Sequence, residues 1–133
     1  MDIFYYCVLL VDDDETSLFL SQKTLTKHKL ADHAHTALNG SIALDFIRQQ
    51  LAAGNPDPHK PNLILLDINM PVMDGFEFME EYAKLDFPEK HKTKIVMLTS
   101  SSNPRDLDKA HEQGIFGFMN KPLTLEKLVG LSA

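Results

Sequence analysis

The chain has 133 residues, 44% of them hydrophobic and 24% charged, which is the size and composition of one soluble globular domain. Thirteen Lys and Arg against nineteen Asp and Glu leave a net charge of −6 with no basic stripe, so the electrostatic footprint of a nucleic-acid binder is missing. The single Cys7 excludes an internal disulfide or a CxxC zinc site. Its place in an apolar run reads as a buried thiol in a reducing compartment.

Ile3–Val11 is a nine-residue apolar run without polar alternation, the pattern of a strand buried on both faces. It is well short of the ~20 residues that span a bilayer. It runs from Asp2 into Asp12, Asp13, Asp14 and Glu15, flanks that do not suit a signal peptide, and the chain reads as cytoplasmic. Asp14 or a neighbour then caps a helix carrying Leu18 and Leu25 on one face. Ala31–Leu38 is a weak second strand, with His33 and His35 on one face, turned to solvent. After Asn39-Gly40 comes a helix defined by Ile42, Phe46 and Ile47, then a loop over Ala52–Pro61 with Pro56 and Pro58 inside it.

Leu63–Leu66 reads as a third buried strand, and Phe78, Tyr82 and Leu85 recur at i, i+4, i+7 for a third helix. A second long loop covers Asp86–Thr93. The densest basic cluster, Lys90, His91, Lys92 and Lys94, reads as a solvated stretch there. Ile95–Leu98 is the fourth strand. Asn103 at an N-cap, Pro104 behind it and Asp106 at the third helical position open a helix that Gly114 closes. Ile115–Met119 is a weaker fifth strand, and Leu125, Leu128 and Val129 mark a short last helix. The six histidines, 28, 33, 35, 59, 91 and 111, show no metal-ligand spacing. Strands and helices alternating in this way predict an α/β fold, a parallel sheet with helices on both faces, in one domain over residues 1–133.

In an open parallel sheet, ligands bind outside the carboxyl ends of the strands. The first strand ends in Asp12-Asp13-Asp14, the third in Asp67 and the fourth in Thr99; the fifth is followed by Asn120-Lys121-Pro122. The second ends near Leu38-Asn39 and offers nothing comparable. Carboxylates this close repel, and a hard divalent cation such as Mg²⁺ relieves the repulsion. Such crowding also implies that Asp13→Ala stabilises the metal-free protein. Lys121 adds a point charge and Thr99 a hydroxyl, which with the metal make a receptor for a phosphoryl group. Alone, Lys121 reads as an ion pair with an acid, and Thr99 as a hydroxyl capping its own turn.

These residues, in this order, resemble the receiver domain of two-component response regulators. The resemblance rests on Val8-Leu9-Leu10-Val11-Asp12-Asp13, on Leu65 through Gly75 with Asp67, Met70-Pro71 and Asp74-Gly75, on Met97-Leu98-Thr99-Ser100 and on Lys121-Pro122. It covers nearly the whole chain and implies a flavodoxin-like sheet of five strands in the order 2-1-3-4-5 with five helices. It implies that Asp67 accepts a phosphoryl group from a sensor histidine kinase or phosphotransfer protein. Asp13, Asp67 and the carbonyl of Asn69 would bind Mg²⁺, with Asp12 supporting through water. Lys121 would contact the phosphoryl oxygens, Thr99 would turn its hydroxyl onto them, and Phe118 would follow inward as the aromatic switch. Lys121-Pro122 would be cis. The chain would be a stand-alone phosphorelay switch acting on a downstream protein, not a metabolic enzyme.

One enzyme class competes. Asp12-Asp13-Asp14-Glu15-Thr16 matches DxDxT, the opening motif of haloacid-dehalogenase-like Mg²⁺-dependent phosphatases, with Asp12 as nucleophile and Asp14 as general acid. That class needs a further acidic motif beyond the Lys, where this chain has only Glu126, and it gives Asp67 no role. A flavin module fails because three aspartates after the first strand would repel its phosphate.

Overall fold

The computed structural model describes residues 5–52, 61–87 and 90–131. Residues 3 and 4 of the first apolar run, residues 53–60 with Pro56, Pro58 and His59, and residues 88–89 lie outside the described residues. In chain order the elements are β1 (Tyr5–Val11), α1 (Glu15–Lys27), β2 (Ala31–Ala37), α2 (Gly40–Ala52), β3 (Leu63–Leu66) and α3 (Gly75–Ala83). A 3₁₀ turn at Lys90–Lys92 follows, then β4 (Lys94–Thr99), α4 (Pro104–Glu112), β5 (Gly117–Asn120) and α5 (Leu125–Leu131). The five strands form one parallel sheet in the order β2-β1-β3-β4-β5, as the resemblance implies.

The alternation of strand side chains divides the core into two layers. Leu9, Val11, Ile64 and Leu66 point to one face, where α2 and α3 bring Leu44, Ile47, Phe78 and Met79. Val8, Leu10, Leu63 and Leu65 point to the other, under Leu18 and Leu25 of α1 and Leu128 of α5. β3 is buried along its whole length, which is why it reads as an unbroken apolar run. Cys7 is buried in β1, and burial pushes its thiol up to about 11, so it packs as a small apolar residue.

Helix ends follow local chemistry. Asp14 caps α1 by accepting from the amides of Thr16 at 3.0 Å and Ser17 at 3.4 Å. Asn103 caps α4 by accepting from Arg105 N–H at 3.0 Å, with Pro104 behind it. Gly114 follows α4 at φ +84°, a conformation that costs glycine nothing.

Several sequence expectations shift. Of the triplet expected on α2, Ile47 is buried and Phe46 packs partly buried against the core, but Ile42 is 45% exposed, and Ala43 and Leu44 fill the inward face instead. Leu85 lies beyond the end of α3 and reaches the core from the loop, partly buried. β5 starts at Gly117 rather than Ile115, although Phe116 N–H already bonds Ile95 O at 2.8 Å. Lys90 is no solvated lysine: its ammonium closes α3 by bonding the carbonyls of Tyr82, Ala83 and Leu85. Lys94 stands over the Phe116 ring, 4.8 Å from its centroid. His33 and His35 are exposed on edge strand β2 with stacked rings 6.2 Å apart, and His35 also packs on Phe46.

Candidate functional site

Strand register builds the site. β1 and β3 run side by side with Val11 opposite Leu66, so the next residues, Asp12 and Asp67, emerge together. The ladder continues for one bond, Asp67 N–H to Val11 O at 2.9 Å. Asp12 and Asp67 are 6% and 7% exposed, whereas Asp13 stands exposed at the mouth. Carboxylate oxygens from Asp12, Asp13 and Asp67 lie within 4.8 Å of one another. β4 and β5 pair Thr99 with Asn120, which brings Lys121 to the same edge. Lys121 N–H bonds Thr99 O at 2.9 Å, and Lys121-Pro122 is cis.

Lys121 Nζ lies 2.7 Å from Asp12 Oδ2 and 2.9 Å from Asp67 Oδ2. The other oxygen of each carboxylate accepts a backbone amide: Asp14 N–H on Asp12 at 2.9 Å, Ile68 N–H on Asp67 at 2.8 Å. Two buried negative charges thus share one cation. Burial pushes the Asp67 carboxyl above the ordinary carboxylate range; the Lys121 hydrogen bond and charge pull it down by less, and Asp12 adds to the rise. Burial disfavours the Lys121 ammonium, yet its hydrogen bonds to Asp12 and Asp67 outweigh that and hold it above the usual lysine value. Asp13 is exposed and stands outside the Lys121 pairing, so the crowding falls on the buried Asp67 rather than on Asp13.

The loop after β3 is held tightly against Asp67. A Cβ on Gly75 would lie 2.4 Å from Asp67 O, and Gly75 N–H bonds Ile68 O at 2.8 Å, so only glycine lets α3 start this close. Asp74 and Glu77 close a capping box at that helix start. Met70 is buried and Asn69 exposed. Val72 sits at φ +66°, a strained setting for a β-branched residue that no sequence signal announced.

Thr99 is 1% exposed, and its hydroxyl accepts from Ser101 N–H at 3.2 Å. Phe118, opposite Met97 in the sheet, is partly buried against the α2–α3 layer. All of Asp12, Asp13, Asp67, Thr99 and Lys121 therefore meet at one edge, with Asn69 on the loop above and Phe118 behind. Sequence reasoning missed how the β4–α4 loop is tied: Ser101 Oγ donates to Asp106 Oδ2 at 2.6 Å, and Asn120 Nδ2 donates to Ser101 O at 3.1 Å. Asp106 was visible only as a helix-start acid.

A family model for the response regulator receiver domain matches residues 8–132, and the chain belongs to that family. Receiver domains act as phosphoacceptor switches in two-component signalling. Response regulator Rcp1 of Synechocystis is 34% identical over 91% of this chain and 80% of its own length. The chain spans only 19% and 54% of the length of two other curated relatives that it matches. A two-component response regulator from Cytophaga hutchinsonii superposes with a TM-score of 0.84 at 30% identity, covering 97% of this chain and 95% of that one. The Mn²⁺-bound form of Rcp1 superposes with a TM-score of 0.71 at 31% identity, covering 95% and 88% of the two chains. The phosphatase alternative finds no support: the family is a different one, and Asp14, its required general acid, is occupied in capping α1.

Proposed function

We propose that this chain is one receiver domain over residues 1–133 that takes a phosphoryl group onto Asp67 in a Mg²⁺-dependent reaction and thereby switches a partner protein. The observation that carries the reading is the pair of buried carboxylates, Asp12 and Asp67, sharing the Lys121 ammonium beside the open Asp13. An acid cluster with fewer cations than anions suits a hard divalent ion. Asp13, Asp67 and the Asn69 carbonyl would hold it, with Asp12 supporting through water. The Mn²⁺-bound form of the relative Rcp1 favours such a site. When bound, the ion supplies positive charge against the negative charge that builds on the phosphoryl oxygens.

The protein's own residues do the rest. An Asp67 carboxylate oxygen attacks phosphorus in line, the P–N bond of a donor phosphohistidine breaks, and its electron pair stays on the imidazole, which takes up a proton. Lys121 follows the charge from the carboxylate to the phosphoryl oxygens. Thr99 turns its hydroxyl onto the same group, and Phe118 repacks behind it. The acyl phosphate adds about −2 charge at this edge, and these differential contacts shift an equilibrium between two conformers. This is switching, with phosphorylation and dephosphorylation as its only chemistry, and not a metabolic turnover.

The donor is a sensor histidine kinase or phosphotransfer protein. A groove lined by Ser17, Leu20, Lys23, Lys27 and Pro122 runs beside the site, and Phe19 and Leu20 stand exposed on α1, a mixed basic and apolar surface for such a partner. The buried Cys7 thiol and the absence, among the described residues, of a helix long and apolar enough to cross a membrane suit a cytoplasmic setting.

The test is incubation with acetyl phosphate and Mg²⁺, with the acyl phosphate located by mass spectrometry. Label on Asp67 that disappears in Asp67→Asn and with EDTA supports the reading. Label on Asp12 would assign the protein to the phosphatase class instead.

A further inference from the structure

Four hydrogen bonds converge on Ser101, two residues past Thr99. Its amide donates to Thr99 Oγ1 at 3.2 Å, and its carbonyl accepts from Asn120 Nδ2 at 3.1 Å. Its hydroxyl donates to Asp106 Oδ2 at 2.6 Å and accepts from Asn103 N–H at 3.3 Å. The 2.6 Å contact is a charge-assisted bond, the strong kind. Ser101 therefore ties three things together: the end of β4, the first turn of α4, and the residue next to Lys121. Lys127 extends the tie into α5 by bonding the carbonyls of Asn120 at 2.7 Å and Pro122 at 2.8 Å.

Among the described residues, no hydrogen bond joins the Thr99 hydroxyl to Asp67 or Lys121; its partner is the Ser101 amide. To reach a phosphoryl group on Asp67, the Thr99 hydroxyl must leave the Ser101 amide, and that amide is held in place by the other bonds of Ser101. The β4–α4 loop is anchored to α4 through Asp106. We infer that Ser101 and Asp106 are positioning residues that hold the β4–α4 loop, and through it Thr99, in the resting arrangement, so that their bond opposes the phosphorylated state. The inference rests on Asp67 being the phosphoacceptor and adds to that reading a named pair that sets the balance between its two states.

The pair does not touch the acid cluster, so its effect must appear in binding of a phosphoryl mimic and not in binding of the metal alone. The probe is calorimetric titration with BeF₃⁻ at saturating Mg²⁺, beside a titration with Mg²⁺ by itself. Ser101→Ala and Asp106→Ala are each expected to bind BeF₃⁻ about five-fold more tightly than the wild type, the scale of one lost hydrogen bond. The double variant is expected to gain no more than Ser101→Ala alone, because the bond that Asp106→Ala removes is one of the two that Ser101→Ala removes. Ser101→Thr keeps the hydroxyl and is expected to stay at the wild-type affinity. Asp108→Ala removes an equal charge two residues along α4 and is expected to do the same. Mg²⁺ affinity should be unchanged throughout.

Unchanged or weaker BeF₃⁻ binding in Ser101→Ala and Asp106→Ala, with the wild type binding normally, would overturn the inference. So would an equal gain in Asp108→Ala. A wild type that binds Mg²⁺ but not BeF₃⁻ would overturn the Asp67 reading itself, and the role of the pair with it.

Discussion

Along the bodies of β1 and β3 the buried side chains, Val8 to Val11 and Leu63 to Leu66, are apolar and fill both core layers. One residue further, Asp12 and Asp67 are almost as deeply buried, but they carry charge. Burial is the same and its consequence is opposite. In the strand bodies it removes apolar surface from water and stabilises the fold. At the strand ends it pushes the Asp67 carboxyl up and makes one lysine serve two acids. The carboxyl edge is thus a region where stability is given up for an unsatisfied need for positive charge, which is what a phosphoryl-accepting site requires.

The largest effect should come from the strand-body side of this contrast. Phe78→Ala empties a fully buried position in the α2–α3 layer and is expected to cost about 3–5 kcal/mol in urea unfolding. At the edge, Lys121→Met leaves two buried carboxylates without their shared partner. A loss of about 2–3 kcal/mol is expected, below the range for a fully buried pair because the Lys121 side chain is 19% exposed. Adding Asp67→Asn to Lys121→Met should gain more stability than the same change gains in the wild type, whereas in Phe78→Ala it should gain only the wild-type amount. Equal gains in both backgrounds would erase the distinction between the regions.

Asp13→Ala should be the smallest change. Asp13 is exposed and outside the Lys121 pairing, so metal-free stability should move by no more than about 0.5 kcal/mol. The rise in melting temperature with millimolar Mg²⁺ should nevertheless vanish, since that ion stabilises only the folded state that binds it. A persistent Mg²⁺ shift in this variant would remove Asp13 from the ligand set.

What could be read from sequence tracks the same contrast. β1, β3 and β4 were legible because strands covered on both faces are unbroken apolar runs. β2 was faint because it lies at the sheet edge, where His33, His35 and their neighbours face solvent. β5 has only four residues, beginning at a glycine, and its start was placed two residues early. The site acids were legible because an acid that ends an apolar strand is conspicuous, and parallel pairing brings such ends together. Illegible were contacts that depend on how loops close: Lys90 folding back on α3, Ser101 meeting Asp106, and Val72 held at positive φ. Ile42 misled because hydrophobicity alone does not say whether a residue beside the inward face of a helix, next to the buried Ala43, is itself covered.

The most direct test of the account is the melting temperature of metal-free Asp67→Asn and wild type across pH. With Asp67 raised in the folded state, its contribution to stability is full below its ordinary value of 3.8 and is lost as pH rises through the folded value. The asparagine of the variant would keep an acceptor for the Ile68 amide and would leave Lys121 to Asp12. The account predicts that Asp67→Asn melts higher than wild type at neutral pH, by a margin that grows from the ordinary carboxylate range upward, and that it loses the Mg²⁺ shift. An Asp67→Asn protein that melts lower at neutral pH, or that keeps the full Mg²⁺ shift, would contradict the claim that this edge trades stability for its chemistry.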